Sequence, residues 1–405
     1  MVQIGEIYIA GKEGDTCNRN VYNSGVAFYL SKKSPINGTY YFESGKWEIE
    51  IQKDNQKIVA RSRDIFPEEK ILQIGFDYCQ KYLDLLSVAK KINLSFDIPD
   101  QEYILVFNQD SRIICRIVTN RDVEFSIFTK ITDKYDNVIE VPPVPYIDWV
   151  PAFRFYRISQ SGCDLYDAYR NLFLAFESLM SEITPKKKRE REKDWLNRAL
   201  KNIGNNIPLK TLVPLGEPPV QYITDNYCGL RNKTFHAKNQ NYLLPYNQKE
   251  AEKLSIAYEG LLRTWREVAS AYKNVPGGGG VFTIEGFVHW MDEVHNKGIS
   301  MQITDDPSPE IGADIPISPL GNSVYLTNKN VYESNYRSGI VRFKGEFESP
   351  IKFKLESIHR FGLMSGDVQH HINYYEEGIK PQGIDKLELY RTFRMINKSS
   401  PKIIF

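Results

Sequence analysis

The spacing of apolar residues changes twice along this chain, and that change restricts its possible folds more than any other feature. From Gly5 to about Pro145 they fall in short runs: Ile7-Tyr-Ile-Ala, Val26-Ala-Phe-Tyr-Leu, Thr39-Tyr-Tyr-Phe, Trp47-Glu-Ile-Glu-Ile, Tyr103-Ile-Leu-Val-Phe, Ile113-Ile-Cys-Arg-Ile-Val and Val123-Glu-Phe-Ser-Ile-Phe. Alternation rich in β-branched and aromatic residues, broken by Gly, Asn and Asp turns, predicts strands. One helix is expected inside this stretch, from about Pro67 to Lys90, because Ile71, Ile74, Tyr78, Tyr82, Leu85 and Val88 recur every three or four residues.

A Pro-rich passage, Val141 to Pro151, suits neither sheet nor helix and marks a boundary. The period then becomes helical. Leu165, Tyr169, Leu172, Phe173, Phe176, Leu179 and Met180 form one stripe behind the candidate caps Ser161 and Asp164. A second helix is expected around Trp195, Leu196, Ala199, Leu200 and Ile203. A third is expected from Pro218-Pro219 to about Lys238, and a fourth from Lys249 to Tyr272. Four such helices make an antiparallel bundle.

After the glycines Gly277 to Gly280, read as a hinge, strand-like runs return at Val281-Phe-Thr-Ile, Ile299-Ser-Met-Gln-Ile, Val324-Tyr-Leu, Ile340-Val-Arg-Phe and Ile351-Lys-Phe-Lys-Leu, with a helix near Phe287 to His295. The expected fold class is α+β and multidomain: a β-rich domain over 1–145, a helical bundle over 151–274 and a second β-rich domain over 281–405.

The net charge of +1 conceals an asymmetry: residues 151–273 hold 20 Lys and Arg against 13 Asp and Glu, so the helical segment is basic and the remainder acidic. Cys17, Cys79, Cys115, Cys163 and Cys228 are dispersed, odd in number and without a CxxC pair, which reads as reduced core thiols. No basic leader and no long apolar run suggests a membrane, so a cytoplasmic location is expected. Neither His370-His371 near Asp367, nor Glu376-Glu377, nor His289 with His295 has a second cluster at metal-ligand spacing; no metal or cofactor is expected.

Phosphate-binding glycine loops, nucleophile elbows and zinc-protease motifs are all missing from the sequence. The residues that suggest chemistry lie late in the third expected helix, Tyr227-Cys-Gly-Leu-Arg231-Asn232-Lys233-Thr-Phe235-His236-Ala-Lys238. Cleaving RNA without a metal requires removal of the 2′-hydroxyl proton, a proton for the leaving 5′-oxygen, and positive charge at the pentacoordinate phosphorus. His236 suits either proton transfer and Arg231 suits the charge. On a continuous helix Asn232 and His236 share a face, so Asn232 is expected to position the imidazole or the phosphate. Lys186, Lys187, Lys188, Arg189, Lys233 and Lys238 are candidate contacts for RNA phosphates, although Glu190, Glu192 and Asp194 blunt the field of the basic run. Against these readings stand plainer ones: a helix-end histidine for His236, a surface ion pair with Asp225 for Arg231, an exposed polar face for Glu177, and core packing for Tyr227 and Phe235.

The Arg231-Asn232-x-x-x-His236 arrangement, late in a helical bundle, resembles the HEPN superfamily, whose motif is Arg, four to six residues, then His. The resemblance covers about 120 of the 405 residues. It implies metal-independent endoribonuclease activity with Arg231, His236 and Asn232 at the site. It also implies a cleft built by a homodimer or higher homo-oligomer through the bundle, and duty in antiphage defence, toxin or abortive-infection systems. Partners expected on that basis are tRNA or other cellular RNA, and a phage-derived trigger or protein regulator acting through the β-rich parts. Two other classes of function remain open: a non-catalytic RNA- or protein-binding and dimerisation module, and an accessory protein of a metabolic operon with a small-ligand pocket.

Overall fold

The computed structural model describes residues 2–11, 22–98, 102–123, 132–139, 146–162, 164–237, 242–276, 283–296, 300–308, 320–326, 331–337, 339–348, 355–365 and 368–395. The fold is α+β. In chain order the first elements are β1 (Val2–Ile4), β2 (Ile7–Tyr8), β3 (Ser24–Tyr29), β4 (Gly38–Phe42), β5 (Trp47–Ile51), β6 (Lys57–Ser62), α1 (Glu68–Lys90), β7 (Tyr103–Gln109) and β8 (Arg112–Val123). Five helices follow: α2 (Pro151–Ser161), α3 (Leu165–Ile183), α4 (Glu192–Ile203), α5 (Pro219–Phe235) and α6 (Gln248–Lys273). The chain then forms α7 (Ile284–Asn296), β9 (Ser300–Thr304), β10 (Ser323–Leu326), β11 (Val331–Arg337), β12 (Ile340–Glu348), β13 (Ile358–Ser365), β14 (Val368–Pro381) and β15 (Lys386–Met395).

Two compact units result, and their composition departs from the three-domain layout expected from the sequence. Residues 1–123 and 283–395 belong to one β-rich unit, and residues 124–282 to a helical unit that interrupts it in sequence. Both sheets of the β-rich unit mix strands from the two ends of the chain. One has the order β10-β9-β13-β14-β1-β2 and the other β11-β12-β15-β8-β7-β3-β6-β5-β4. The junction in the larger sheet is the parallel ladder of β8 with β15, running from Ile114 opposite Lys386 to Val123 opposite Met395. In the smaller sheet, β1 pairs antiparallel with the far end of β14. Neither half can therefore complete its sheets alone, and 1–145 and 281–405 are not separate domains.

Helix α1 covers part of the larger sheet. Phe76 meets Phe28 and Phe96 with ring centres 5.5 Å and 5.0 Å away. Gly75 permits this approach, since a Cβ there would lie 2.5 Å from the Val26 side chain. Strand β6 carries charge into the fold: the buried Arg61 pairs through Nη2 with Glu48 and Glu50 of the neighbouring strand. A buried guanidinium is tolerated only with partners of this kind. Similarly, Arg116 of β8 bonds Glu388 of β15 at 2.8 Å, tying the two halves of the chain together beside their shared ladder.

The helical unit has its own core. Leu172, Phe173, Phe176, Leu179 and Met180 of α3 pack with Trp195 and Leu200 of α4, Ile223 and Tyr227 of α5, and Leu261 and Trp265 of α6. Asp164 caps α3 as expected, its carboxylate accepting from the Asp167 N–H at 2.9 Å, and Asn247 caps α6 through the Lys249 N–H at 3.1 Å. Helix α2 was not expected. Pro151, read from the sequence as part of a breaker, occupies its first turn, where a missing N–H costs nothing. Its Tyr156 stacks on Trp265 with ring centres 4.0 Å apart.

The remaining C-terminal expectations are met in part. The helix near Phe287 starts at Ile284, which displaces the end of the strand expected at Val281-Phe-Thr-Ile; Val281 and Phe282 lie outside the described residues. So do the glycines 277–280, residues 141–145 and 351–354, most of the run after Val123, and Cys17, Cys163, Asp367 and Lys238. No described helix is long and apolar enough to cross a membrane.

Candidate functional site

Helices α3 and α5 run antiparallel and meet along one face of each. The Tyr166 hydroxyl donates to the Thr234 carbonyl, and the Tyr169 hydroxyl to the Tyr227 carbonyl at 2.9 Å. Two carbonyls of α5 are thus tied to tyrosines one turn apart on α3. On α3 the facing residues Arg170, Phe173 and Glu177 follow the i, i+3, i+7 spacing; on α5 they are Cys228, Arg231 and Phe235. The first turn of α4 adds Glu192 to this stripe.

Arg231 is held at its centre. Its Nη2 lies 3.3 Å from Glu192 Oε1, and its Nη1 donates to Asn232 Oδ1 at 3.3 Å. The guanidinium sits 5.3 Å from the centre of the Phe235 ring and 5.8 Å from that of Phe173. Its Nε is buried with no hydrogen-bond partner. Asp225, considered from the sequence as its partner, instead pairs with Lys193 at 2.7 Å.

At one end of the stripe, burial pushes the Glu177 carboxyl above the usual range, with the nearby Glu192 charge adding to the effect and Arg231 and Lys186 opposing it. Glu177 is therefore a half-buried carboxyl that titrates above its ordinary range, rather than the exposed polar residue favoured from the sequence. Burial also raises the Cys228 thiol to about 11, which removes it as a nucleophile at neutral pH.

At the other end, Arg170 lies with its guanidinium 5.0 Å from the Phe235 ring centre and 5.6 Å from that of Tyr166. Its pair with Asp167 spans 3.4 Å between two exposed side chains, and its Nε is buried without a partner. His236 follows Phe235 directly. It is exposed, in extended backbone (φ −127°, ψ 106°), and makes no hydrogen bond or ion pair with any described residue.

That backbone corrects one expectation. Helix α5 ends at Phe235 rather than near Lys238, so Asn232 and His236 do not share a helical face, and Asn232 engages Arg231 instead of the imidazole. The cause lies downstream: the Lys233 carbonyl accepts the Leu243 N–H at 2.8 Å, and Leu243 itself is buried in the helical core. That bond occupies the carbonyl that residue 237 would use in a continuing helix.

The basic candidates are only partly gathered. Lys186, Lys187, Lys188 and Arg189 are exposed in the loop before α4, and the Lys186 charge reaches Glu177. This loop is braced by Glu190, whose carboxylate accepts from the Lys187 N–H and from Arg198, each at 2.8 Å. Those bonds hold Glu190 down to about 2. Lys233 is half-exposed on α5. Among the described residues no three His, Cys, Asp or Glu gather in a way that would hold a metal ion. Glu376 and Glu377 are instead paired with Lys33 and Lys57.

Arg170 and Glu192 were not singled out from the sequence. Arg170 carried a weak signal, being a charged residue three and seven positions before apolar and acidic neighbours on the same face. Glu192 carried none beyond its place in a charged run, because its meeting with Arg231 depends on how α4 docks against α5.

Comparison with known protein families, with characterised proteins and with solved structures finds no match for this chain.

Proposed function

We propose that the helical unit is a metal-independent endoribonuclease, the activity that its resemblance to HEPN proteins implies. The observation that carries the proposal is His236. It is an exposed imidazole with no described partner, placed one residue past a ring that touches two guanidiniums. A structural histidine is ordinarily packed or bonded, whereas a group that exchanges protons with substrate must be accessible.

In the proposed reaction the RNA 2′-oxygen attacks the adjacent phosphorus as its proton passes to a base. The bond from phosphorus to the 5′-oxygen then breaks, and that oxygen takes up a proton. The products are a 2′,3′-cyclic phosphate and a 5′-hydroxyl. His236 performs one proton transfer, and Arg231, reaching past Phe235, stabilises charge on the phosphorane oxygens. A second His236 across a homodimer axis would perform the other transfer. The exposed cations Lys186, Lys187, Lys188, Arg189 and Lys233 would contact flanking phosphates. Antiphage defence or abortive infection, with the β-rich unit restraining the bundle until a trigger binds, is the setting proposed with this activity.

One observation favours a second reading. Arg231 is already engaged by Glu192 and Asn232, as in a structural pair, which suits a non-catalytic RNA- or protein-binding module. The two are separated by incubating total RNA and tRNA in EDTA with the wild type, Arg231→Ala and His236→Ala. Cleavage by the wild type alone supports the enzyme; RNA binding without cleavage supports the module.

A further inference from the structure

Arg170, packed on Phe235 and Tyr166, has no role in the reading above. Its Nε–H is buried without an acceptor among the described residues, as is that of Arg231, and a buried unpaired donor costs about 1–3 kcal/mol. Among the described residues Arg170 forms one ion pair, the 3.4 Å contact with Asp167, between side chains that are 41% and 58% exposed. Pairs of that kind contribute about 0–1 kcal/mol and do not fix a side chain.

Both guanidiniums are set by Phe235. With Arg170 at 5.0 Å and Arg231 at 5.3 Å from the same ring centre, the two like charges stand no more than about 10 Å apart. Arg170 keeps 41% of its side chain exposed, whereas the terminal nitrogens of Arg231 meet Glu192 and Asn232. The bond from Tyr166 to the Thr234 carbonyl fixes this part of α3 to the last turn of α5, beside the point where His236 begins. The two cations thus flank the residue before the exposed His236, and their ion-pair partners among the described residues, Asp167 and Glu192, belong to different elements.

We infer that Arg170 and Arg231, across Phe235, form a two-guanidinium cradle for a phosphodiester group of single-stranded RNA next to His236. This rests on the ribonuclease reading for the choice of ligand. Guanidinium suits the task because its planar fork donates paired hydrogen bonds to two phosphate oxygens. Arg170 supplies the second fork, on the side of the phosphate that Arg231, drawn toward Glu192, leaves uncovered.

The test uses the full-length protein and a fluorescein-labelled 12-mer RNA with 2′-O-methyl groups throughout, which cannot be cut by 2′-oxygen attack. Fluorescence anisotropy across a series of salt concentrations gives affinity and its salt dependence. Arg170→Gln is expected to weaken binding about tenfold, the loss of one charge-assisted contact. It should also reduce the slope of log K against log salt by about 0.7, as for one phosphate contact on a single strand. Arg170→Lys keeps the charge and should restore the slope with only part of the affinity. It also guards against a folding defect in the glutamine variant. A free mononucleotide as competitor separates the two sources of phosphate: the cradle requires the oligomer to bind far more tightly. Equal affinity and slope for wild type and Arg170→Gln, preference for the mononucleotide, or no binding by the wild type would each overturn the inference. Cleavage of the unmodified 12-mer by wild type and His236→Ala is read alongside. Binding that depends on Arg170 without any cleavage would retire the ribonuclease reading and leave the cradle standing.

Discussion

Replacing Glu102 by Gln should remove most of the pH sensitivity of the β-rich unit near neutrality. Glu102 precedes β7, and its Oε1 accepts the Asn120 N–H at 3.3 Å. Burial raises its carboxyl to about 7; Asp97 and Asp122 push the same way, against the Asn120 bond and Arg391. Its carboxyl is enclosed although the residue as a whole keeps some exposure. A carboxyl that titrates near 7 when folded and near 4.5 when unfolded retains its proton longer in the folded state. The folded state is then favoured fully below about pH 4.5 and loses that advantage as pH rises through 7. At 1.36 kcal/mol per pH unit the loss is about 3 kcal/mol, an upper bound given the partial exposure. Glutamine keeps the acceptor oxygen for Asn120 and cannot ionise. Urea unfolding followed from pH 4 to pH 8 should therefore show Glu102→Gln gaining on the wild type by about 2–3 kcal/mol, or roughly 4–12 °C in Tm for a unit of this size. Parallel profiles for the two proteins would refute the reasoning, because they would mean that Glu102 is ionised in the fold without penalty.

Glu177→Gln should stabilise the helical unit relative to wild type increasingly as pH rises, since Glu177 is also a carboxyl raised by burial; thermal melts at pH 5 and pH 8 check the sign. Asp164→Ala should cost about 1 kcal/mol through loss of the α3 cap, read as a lower urea midpoint with an unchanged slope. His236→Ala should leave stability within about 0.5 kcal/mol of wild type, because the exposed imidazole has no described partner. A destabilisation of 2 kcal/mol would show that His236 is a structural residue.

Sequence periodicity located the elements that bury one face. Helix α1 was expected from about Pro67 to Lys90 and spans Glu68–Lys90, and α5 begins at the proline expected to start it. Strand β6 escaped because both of its faces are buried and its charged residues, Lys57 and Arg61, point inward to ion-pair partners, so no alternation survives. The union of the two β-rich stretches rests on the parallel β8–β15 ladder between residues some 270 apart, for which a local window carries no signal. The site was legible to the same extent. Arg231, Asn232 and His236 stood out as residue types, but the break after Phe235 is imposed by Leu243, and the approach of Arg170 and Glu192 by helix packing.

The central claim is tested most directly by the ends left on RNA. A 5′-labelled tRNA incubated in EDTA with wild type and with His236→Ala, then treated with a phosphatase that acts only on opened 2′- or 3′-phosphates, reports whether a 2′,3′-cyclic phosphate was formed. The account predicts phosphatase-resistant fragments with the wild type that become sensitive after acid opening of the ring, and none with His236→Ala. Cleavage by both proteins alike, or fragments ending in a 3′-hydroxyl, would contradict it.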